Sequence, residues 1–338
     1  MRHHHGVVFA TLLTVVATAA AQNYHVSDHW QVGGEGGWDY LASDDAAHRL
    51  YITHNSRVEV IDSKTGKPLG AVTGLKSTHG VALNPDGKTG YISDGAGNAI
   101  VVFDRANLSI KATIPAGTNP DGIAYEPTTK TVWAFNGRSH DVSVLDTTSS
   151  GIIATVQLPG KPEFPQVDGH GAVFVNIEDK NLIVKLDAAT QKIVATWALN
   201  GCDSPSGMAI DLAKHRLFSV CDGGKMAVVD YTSGKLLGLA AIGSSPDAAG
   251  FDPKTGFAFS SNGGDATLTV IDTAKPGFPA VQTVTTTKGA RTMALDASTG
   301  WVYLVTAKFE ATPPATTATP RPRPRIIPDS FEVLVVHK

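Results

Sequence analysis

Short runs of alternating apolar and polar residues recur along the chain, and turn-forming residues separate them. The clearest unit has such runs at 119–127, 131–136 and 142–146. Alternation over a few residues, bounded by Gly, Pro, Asn or Asp, is typical of β-strands. The pattern therefore predicts a sheet module built from consecutive short strands.

The module recurs seven times. Its third strand closes on an aspartate in six copies, 41 to 43 residues apart: Asp62, Asp104, Asp146, Asp187, Asp230 and Asp272. In most copies a fourth run follows, at 68–72, 110–114, 152–157, 193–198, 236–242 and 281–285. A period of about 40–50 residues with several strands per unit is typical of propeller blades. The repeat predicts an all-β, seven-bladed β-propeller as a single domain over residues 22–338.

The two ends of the chain complement each other. The seventh module ends with its third strand, at 331–336, whereas the strand candidate at 25–32 has no module of its own. The N-terminal strand is therefore predicted to complete the last blade, which removes exposed sheet edges between first and last modules. Six modules with unattached ends is the competing interpretation.

One segment interrupts the repeat inside the seventh module, at 308–330. It contains Pro313-Pro314 and alternates Pro with Arg over 320–325, which favours extended polyproline II backbone. The segment lies between the second and third strands. Two interpretations stay open: a solvated loop, or a basic flap over the channel mouth.

The first 21 residues have the pattern of a secretory signal peptide. An apolar run of 11 residues, Gly6 to Val16, precedes the small residues Ala19 to Ala21. The run is too short to span a bilayer. We expect a periplasmic or secreted protein without a membrane span; a retained N-terminal anchor is the alternative.

Export makes the two cysteines candidates for a disulfide. Cys202 precedes the first strand of the fifth module and Cys221 ends its second strand, so a hairpin brings both to one end of the blade. Two free thiols or a metal-binding pair is the alternative.

The charge of the chain argues against a nucleic-acid partner. The net charge is −3 and the charged fraction is 17%, whereas nucleic-acid binding needs many phosphate-neutralising cations.

The repeated phrases are Pro-Asp-Gly, as at 120–122, a second-strand phrase of the type Tyr/Phe-Val-x-Asn, and Val-x-Val-Ile-Asp, as at 58–62. They resemble the YVTN-type β-propeller repeat of YncE-like periplasmic proteins, over about residues 25–337. The resemblance implies a propeller. It leaves the function open, because such propellers include ligand binders, lactonase-like hydrolases and subunits of redox enzymes.

One position of the repeat does not keep its residue type. When the modules are aligned on their first strands, the position near the start of each strand is occupied by Asp39, His79, Asp121, Glu163, Ser206, Asp247 and Arg291. The first strand of a propeller blade is innermost. These residues are therefore expected to form a ring around the mouth of the central channel.

The second strands are expected to end at the same face. Their predicted last residues are His54, Asp94, Asn136, Asn176, Cys221, Ser261 and Thr306, with Arg138 and Glu178 close by. This predicts a second polar ring outside the first.

The two rings suggest a ligand site. Imidazole and carboxylate together suit Zn, Fe, Mn or Cu, and His54, His79 and Glu163 are the predicted ligands of a divalent metal of unknown identity. Arg291 could donate two hydrogen bonds to an anionic group of the ligand. The remaining residues expected to contact a small anionic ligand are Asp39, Asp121, Asn136, Arg138, Glu178 and Asp247. The alternative is that the acids only cap turns.

Three functions follow from this reasoning. The first is an exported propeller that binds a metal ion, a small anionic molecule, or both, in the polar funnel. The second is a metal-assisted hydrolase or lyase, lactonase-like, with Glu163, His79 and Arg291 as catalytic residues. The third is a protein-interaction scaffold whose rings are structural. The sequence does not decide whether the protein is an enzyme.

Overall fold

The computed structural model describes residue 1, residues 23–314, residue 322 and residues 324–338. In these residues, 28 strands form seven four-stranded antiparallel sheets. Each inner strand packs beside the inner strand of the next blade, and the last packs beside the first. The predicted seven-bladed propeller is confirmed. The predicted signal peptide, apart from Met1, lies outside the described residues.

Each blade orders its strands from the channel outward. The inner strands are β2 (Trp38–Asp44), β6 (Thr78–Leu83), β10 (Pro120–Glu126), β14 (Pro162–Val167), β18 (Pro205–Asp211), β22 (Pro246–Asp252) and β26 (Met293–Asp296). The second strands are β3 (Arg49–His54), β7 (Thr89–Asp94), β11 (Thr131–Asn136), β15 (Ala172–Ile177), β19 (Arg216–Cys221), β23 (Phe257–Asn262) and β27 (Trp301–Thr306).

The outer half of each blade follows the same order. The third strands are β4 (Arg57–Asp62), β8 (Ala99–Asp104), β12 (Asp141–Asp146), β16 (Leu182–Asp187), β20 (Lys225–Asp230), β24 (Thr267–Asp272) and β28 (Glu332–His337). The outermost strands are β5 (Pro68–Val72), β9 (Ile110–Pro115), β13 (Gly151–Gln157), β17 (Lys192–Ala198), β21 (Lys235–Ala241), β25 (Ala280–Thr285) and β1 (His25–Gln31). One short 3-10 helix, Glu178–Lys180, follows β15.

The ring closes as predicted. Strand β1 pairs with β28 in antiparallel register, from His25 opposite His337 to Gln31 opposite Glu332. The last blade therefore has the order β26-β27-β28-β1. The N-terminal strand supplies the fourth strand that the seventh module lacks, so the six-module alternative is excluded.

The core lies between blades, because alternate residues of each strand face opposite neighbours. In blades three and four, for example, Trp133 and Phe135 of β11 and Val175 of β15 belong to one fully buried cluster. Burying one such large apolar side chain contributes about 1.5–3 kcal/mol. The apolar alternation of the sequence is thus the packing surface between sheets.

The aspartates that close the third strands are architectural. Asp62 Oδ1, for example, accepts hydrogen bonds from the backbone N–H groups of Lys64 and Thr65, at 3.0 and 2.8 Å. Gly66 completes this turn with a φ of 68°. These aspartates recur because each one caps a turn between the third and fourth strands.

The inserted segment 308–330 has an ordered base. The Glu310 N–H donates to the Arg325 carbonyl at 2.9 Å, and the Ile327 N–H donates to the Lys308 carbonyl at 2.9 Å. The Asp329 N–H donates to the carbonyl of Gly34 at 3.0 Å. The two legs of the insertion are therefore paired and docked on the Gly-rich turn that leads into β2.

The predicted disulfide is confirmed. Cys202 and Cys221 are bonded, with their Cα atoms 5.4 Å apart, and both side chains are fully buried. A crosslink over 19 residues stabilises mainly by restricting the unfolded chain, by about 3 kcal/mol.

We predict that the double substitution Cys202→Ser and Cys221→Ser lowers the free energy of unfolding by about 3 kcal/mol, measured by urea denaturation. Thiol labelling of the denatured, unreduced wild type should find no free cysteine. Two labelled thiols, with unchanged stability in the variant, would contradict the pairing.

Candidate functional site

A β-bulge marks the start of six inner strands. In β2, Trp38 lies opposite His54 and Leu41 lies opposite Ile52, so one extra residue is accommodated on the inner strand. The register shifts at the same place in β6, β10, β14, β18 and β22. Six members of the predicted ring lie inside these shifts: Asp39, His79, Asp121, Glu163, Ser206 and Asp247. Bulges re-aim side chains, so the ring residues occupy a position that the regular ladder does not constrain.

The backbone of the ring is held by neighbouring blades. The hydroxyl of Ser93 donates to the carbonyl of Asp121, and that of Ser261 donates to the carbonyl of Arg291. The Asn176 amide donates to the Ser206 carbonyl at 2.8 Å. These second-strand residues are therefore supports for the ring. β15 and β23 each extend one residue beyond the predicted ends Asn176 and Ser261.

Three ring residues of successive blades form one cluster. His79 Nδ1 is 2.6 Å from Asp39 Oδ2 and 3.7 Å from Asp121 Oδ1. One potential ligand atom from each of Asp39, His79 and Asp121 lies within 4.8 Å of the others. Asp121 Oδ1 is buried and has no hydrogen-bond partner among the described residues. The arrangement offers a nitrogen and two carboxylates to a cation.

Burial and the charges within this cluster shift the pKa values of His79 and Asp121. Burial lowers the pKa of His79, but the hydrogen bond with Asp39 and the charge of Asp121 outweigh it and raise that pKa to about 9. Burial and the charge of Asp39 raise the pKa of Asp121 to about 7. By contrast, hydrogen bonds from Thr232 and Ser233 lower the pKa of the turn-capping Asp230 to about 2. The pKa of the ring carboxyl of Asp121 is thus raised, whereas that of the turn-capping Asp230 is lowered.

Glu163 lies beside this cluster, on blade four. Tyr40 of blade one donates its hydroxyl to Glu163 Oε2 at 3.2 Å, and Lys161 Nζ lies 2.7 Å from Glu163 Oε1. Burial and the charge of Asp121 raise the pKa of Glu163 to about 8 in spite of Lys161. Lys161 also pairs with Glu178 of the short helix.

Tyr40 reaches from blade one to blade four. Its ring meets Phe164 edge-on, with centroids 4.9 Å apart, and its side chain is buried. Blades one and four are not neighbours in the ring, so this contact crosses the central channel.

Arg291 forms the opposite side of the mouth. Its Nε lies 2.6 Å from Asp247 Oδ2, and its Nη2 donates to the Trp38 carbonyl at 3.2 Å. Its guanidinium also lies 5.9 Å from the centroid of the Trp38 ring. Burial raises the pKa of Asp247 to about 6, although Arg291 opposes the shift.

The structure does not bring His54 to the predicted metal site. His54 ends β3, is 1% exposed, and stacks on Phe331 of the last blade with centroids 4.2 Å apart. The cluster of three ligand groups contains His79 but neither His54 nor Glu163. The last position of a second strand faces the packing between blades, whereas the bulged inner position faces the channel.

Two further predicted ligand-binding residues lie apart from the cluster. Asn136 is fully buried and donates to Asp141 and Ser143 at 2.6 and 3.0 Å. The side chain of Arg138 is exposed. Asp39, Asp121, Glu178 and Asp247 lie in the network of ring contacts described above.

Two residues of the network did not emerge from the sequence. Tyr40 directly follows the ring position of its blade, and Lys161 stands two residues before Glu163. Aligning the modules on one position hides such residues. A comparison of the flanking positions would have marked Lys161 as a second cation, besides Arg291, near the ring carboxylates.

No family model matches the chain, and neither does any curated protein. Solved structures match most of it. A hydrazine synthase of Kuenenia stuttgartiensis is 15% identical, with a TM-score of 0.69, and the match covers 86% of this chain and 95% of that one. U3-55K is 9% identical with a TM-score of 0.75, covering 92% and 99%. The WD40 repeats of RRP9 are 9% identical with a TM-score of 0.76, covering 94% and 99%. At these identities the likeness shows the propeller fold alone.

The disulfide indicates an oxidising, exported compartment, because such bonds persist in oxidising environments. Among the helices of the described residues, none has the length and apolarity needed to cross a bilayer.

Proposed function

We propose that the funnel of this exported propeller binds a divalent metal ion through Asp39, His79 and Asp121. The observation that carries the proposal is the convergence of three ligand atoms within 4.8 Å. The buried, unpartnered Oδ1 of Asp121 supports it, because a buried polar atom without a partner is costly. One imidazole and two carboxylates suit Zn, Mn, Fe or Cu.

The site would also accept a small anion beside the metal. Arg291 and Lys161 stand on different sides of the mouth, and their side chains are 41% exposed. Each is now bonded to a ring carboxylate. An anionic molecule that reaches the metal could therefore find a guanidinium or an ammonium at the rim.

We predict that the purified mature protein binds one divalent ion per chain at pH 7.5, measured by elemental analysis and calorimetric titration. Asp39→Asn, His79→Ala and Asp121→Asn should each weaken binding at least about tenfold, because each removes a ligand. Binding that is unchanged in all three variants would refute the site.

The matched control is Asp28→Asn, an exposed aspartate on β1 away from the funnel. It changes the net charge as Asp39→Asn does but removes no predicted ligand. Its affinity should equal that of the wild type.

A metal-assisted hydrolase or lyase is the second candidate. The observation that favours it is Glu163, a buried carboxyl with a pKa of about 8 beside the cluster. Such a group is protonated at neutral pH and suits general acid chemistry. Turnover of lactones or sugar acids that is lost in Glu163→Gln while metal binding persists would establish this function.

The proposed export can be tested by cell fractionation. The resemblance to YncE-like repeats and the proposed signal peptide at 1–21 support export to the periplasm or medium.

A protein-interaction scaffold is the remaining candidate function. It becomes the preferred function if no divalent ion binds and no small molecule shifts the melting temperature.

A further inference from the structure

A pair of histidines lies at the seam where the propeller closes. His25, at the start of β1, is directly opposite His337, at the end of β28. Directly paired residues point to the same face of a sheet. The two imidazole rings are 5.6 Å apart between centroids.

The hydrogen bonds of the two histidines show which ring nitrogen of each is available to bind a metal ion. His25 Nδ1 lies 3.1 Å from the Asn23 carbonyl, and His337 Nδ1 lies 2.8 Å from the Lys338 carbonyl. A carbonyl only accepts, so in the neutral imidazole each Nδ1 carries the proton and each Nε2 keeps its lone pair. This is the arrangement of metal-binding histidines, whose other ring nitrogen donates to an oxygen.

The spacing also fits a shared ion. With metal–nitrogen bonds of about 2.1 Å, two imidazoles on one tetrahedral ion have centroids roughly 5–6 Å apart. The ring of Trp301 stacks on His337 at 4.9 Å with an interplanar angle of 16°, which restricts the orientation of His337. His25 is exposed, so an ion can reach the pair from solvent.

We propose that His25 and His337 form a second metal site, a cross-strand chelate for a divalent transition metal. Imidazole nitrogen suits Cu²⁺, Ni²⁺ and Zn²⁺, and the affinity order for such ions places Cu²⁺ first. The site lies at the opposite end of the blade from the funnel, since β28 runs from Glu332 beside Phe331 at the mouth to His337. A metal bound there joins the first described strand to the last and stabilises ring closure.

The test uses Cu²⁺ and the fluorescence of Trp301, in a His79→Ala background so that the funnel cluster lacks its imidazole. We expect saturable quenching at one ion per chain. His25→Gln and His337→Gln should each weaken it at least about tenfold. Saturating Cu²⁺ should raise the melting temperature by about 3 °C or more.

The matched control is His29→Gln, which removes another exposed histidine of β1, one that pairs with Glu332. It should leave the Cu²⁺ affinity unchanged, and Trp301→Phe should remove most of the quenching. Quenching that is equal in His25→Gln, His337→Gln and His29→Gln would overturn the proposal. Absence of quenching in the His79→Ala protein that carries no further substitution would also overturn it. Circular dichroism confirms that each variant is folded.

Discussion

The metal-free protein is expected to be more stable at pH 5.5 than at pH 7.5, by roughly 3–6 kcal/mol. Folding raises the pKa of Asp121 to about 7 and that of Glu163 to about 8, in both cases mainly by burial. It raises the pKa of His79 to about 9. All three groups hold protons in the folded state that the unfolded chain releases.

The sign follows from linkage. A buried carboxyl with a raised pKa costs nothing while both states are protonated, and its cost grows as the pH rises from about 4 through the folded value. The stabilisation by protonated His79 is complete below the unfolded value near 6.5 and is lost as the pH rises through about 9. The effects have the same sign, and one net proton contributes about 1.4 kcal/mol per pH unit.

The pH window from 5.5 to 7.5 excludes a contribution from the turn-capping aspartates. Five turn-capping aspartates have lowered pKa values: Asp62, Asp104, Asp146, Asp187 and Asp230. They are ionised in both states above pH 5.5 and therefore add no slope there. A decline in stability between pH 5.5 and 7.5 that is lost in Asp121→Asn and Glu163→Gln is thus assigned to the ring.

Urea denaturation in the presence of a chelator, at the two pH values, measures this effect. Asp121→Asn and Glu163→Gln should flatten the dependence, and Asp28→Asn should preserve it. A divalent ion should selectively stabilise the protein at the higher pH, because it replaces the protons. Stability that rises from pH 5.5 to 7.5 without metal would contradict the raised pKa values of Asp121 and Glu163.

Arg216→Met is expected to lower the free energy of unfolding by about 3–5 kcal/mol. Arg216 and Asp211 are 7% and 2% exposed, and Arg216 Nη2 lies 2.8 Å from Asp211 Oδ2. Arg216 Nη1 also donates to the Thr273 carbonyl of the next blade at 2.8 Å. The substitution leaves a buried carboxylate without its cation and removes a bond between blades five and six.

Urea denaturation of three variants separates these contributions. Arg216→Met combined with Asp211→Leu should recover much of the loss, because no buried charge is then left unpaired. Lys275→Ala breaks an exposed ion pair with Asp272 and should cost less than about 1 kcal/mol. If Arg216→Met were no more harmful than Lys275→Ala, the buried pair would not hold the blades together.

Local periodicity determined the fold. The alternation of apolar residues, the turn residues and the 41–43-residue period are local properties, and they were sufficient for seven blades and for closure by β1. The third-strand ends at Asp62, Asp146 and Asp230 coincide with strand ends in the structure, because an aspartate that caps a turn acts within a few residues.

The ring was also predictable, because its members share one register position. Glu163 follows from counting back along the fourth module, and the bulge in β14 confirms that register. The disulfide followed from a hairpin whose two ends must meet. These inferences needed only the geometry of neighbouring strands.

The chemistry within the ring was decided by tertiary structure. Which side chains meet depends on the bulges and on distances across a channel, and neither has a signature in the local sequence. Tyr40 reaches Glu163 across 123 residues, whereas His54 turns into the packing against Phe331. The sequence by itself thus determined the blades and the ring position, while only the assembled channel placed His79 between Asp39 and Asp121, because contacts across an axis depend on how whole blades pack.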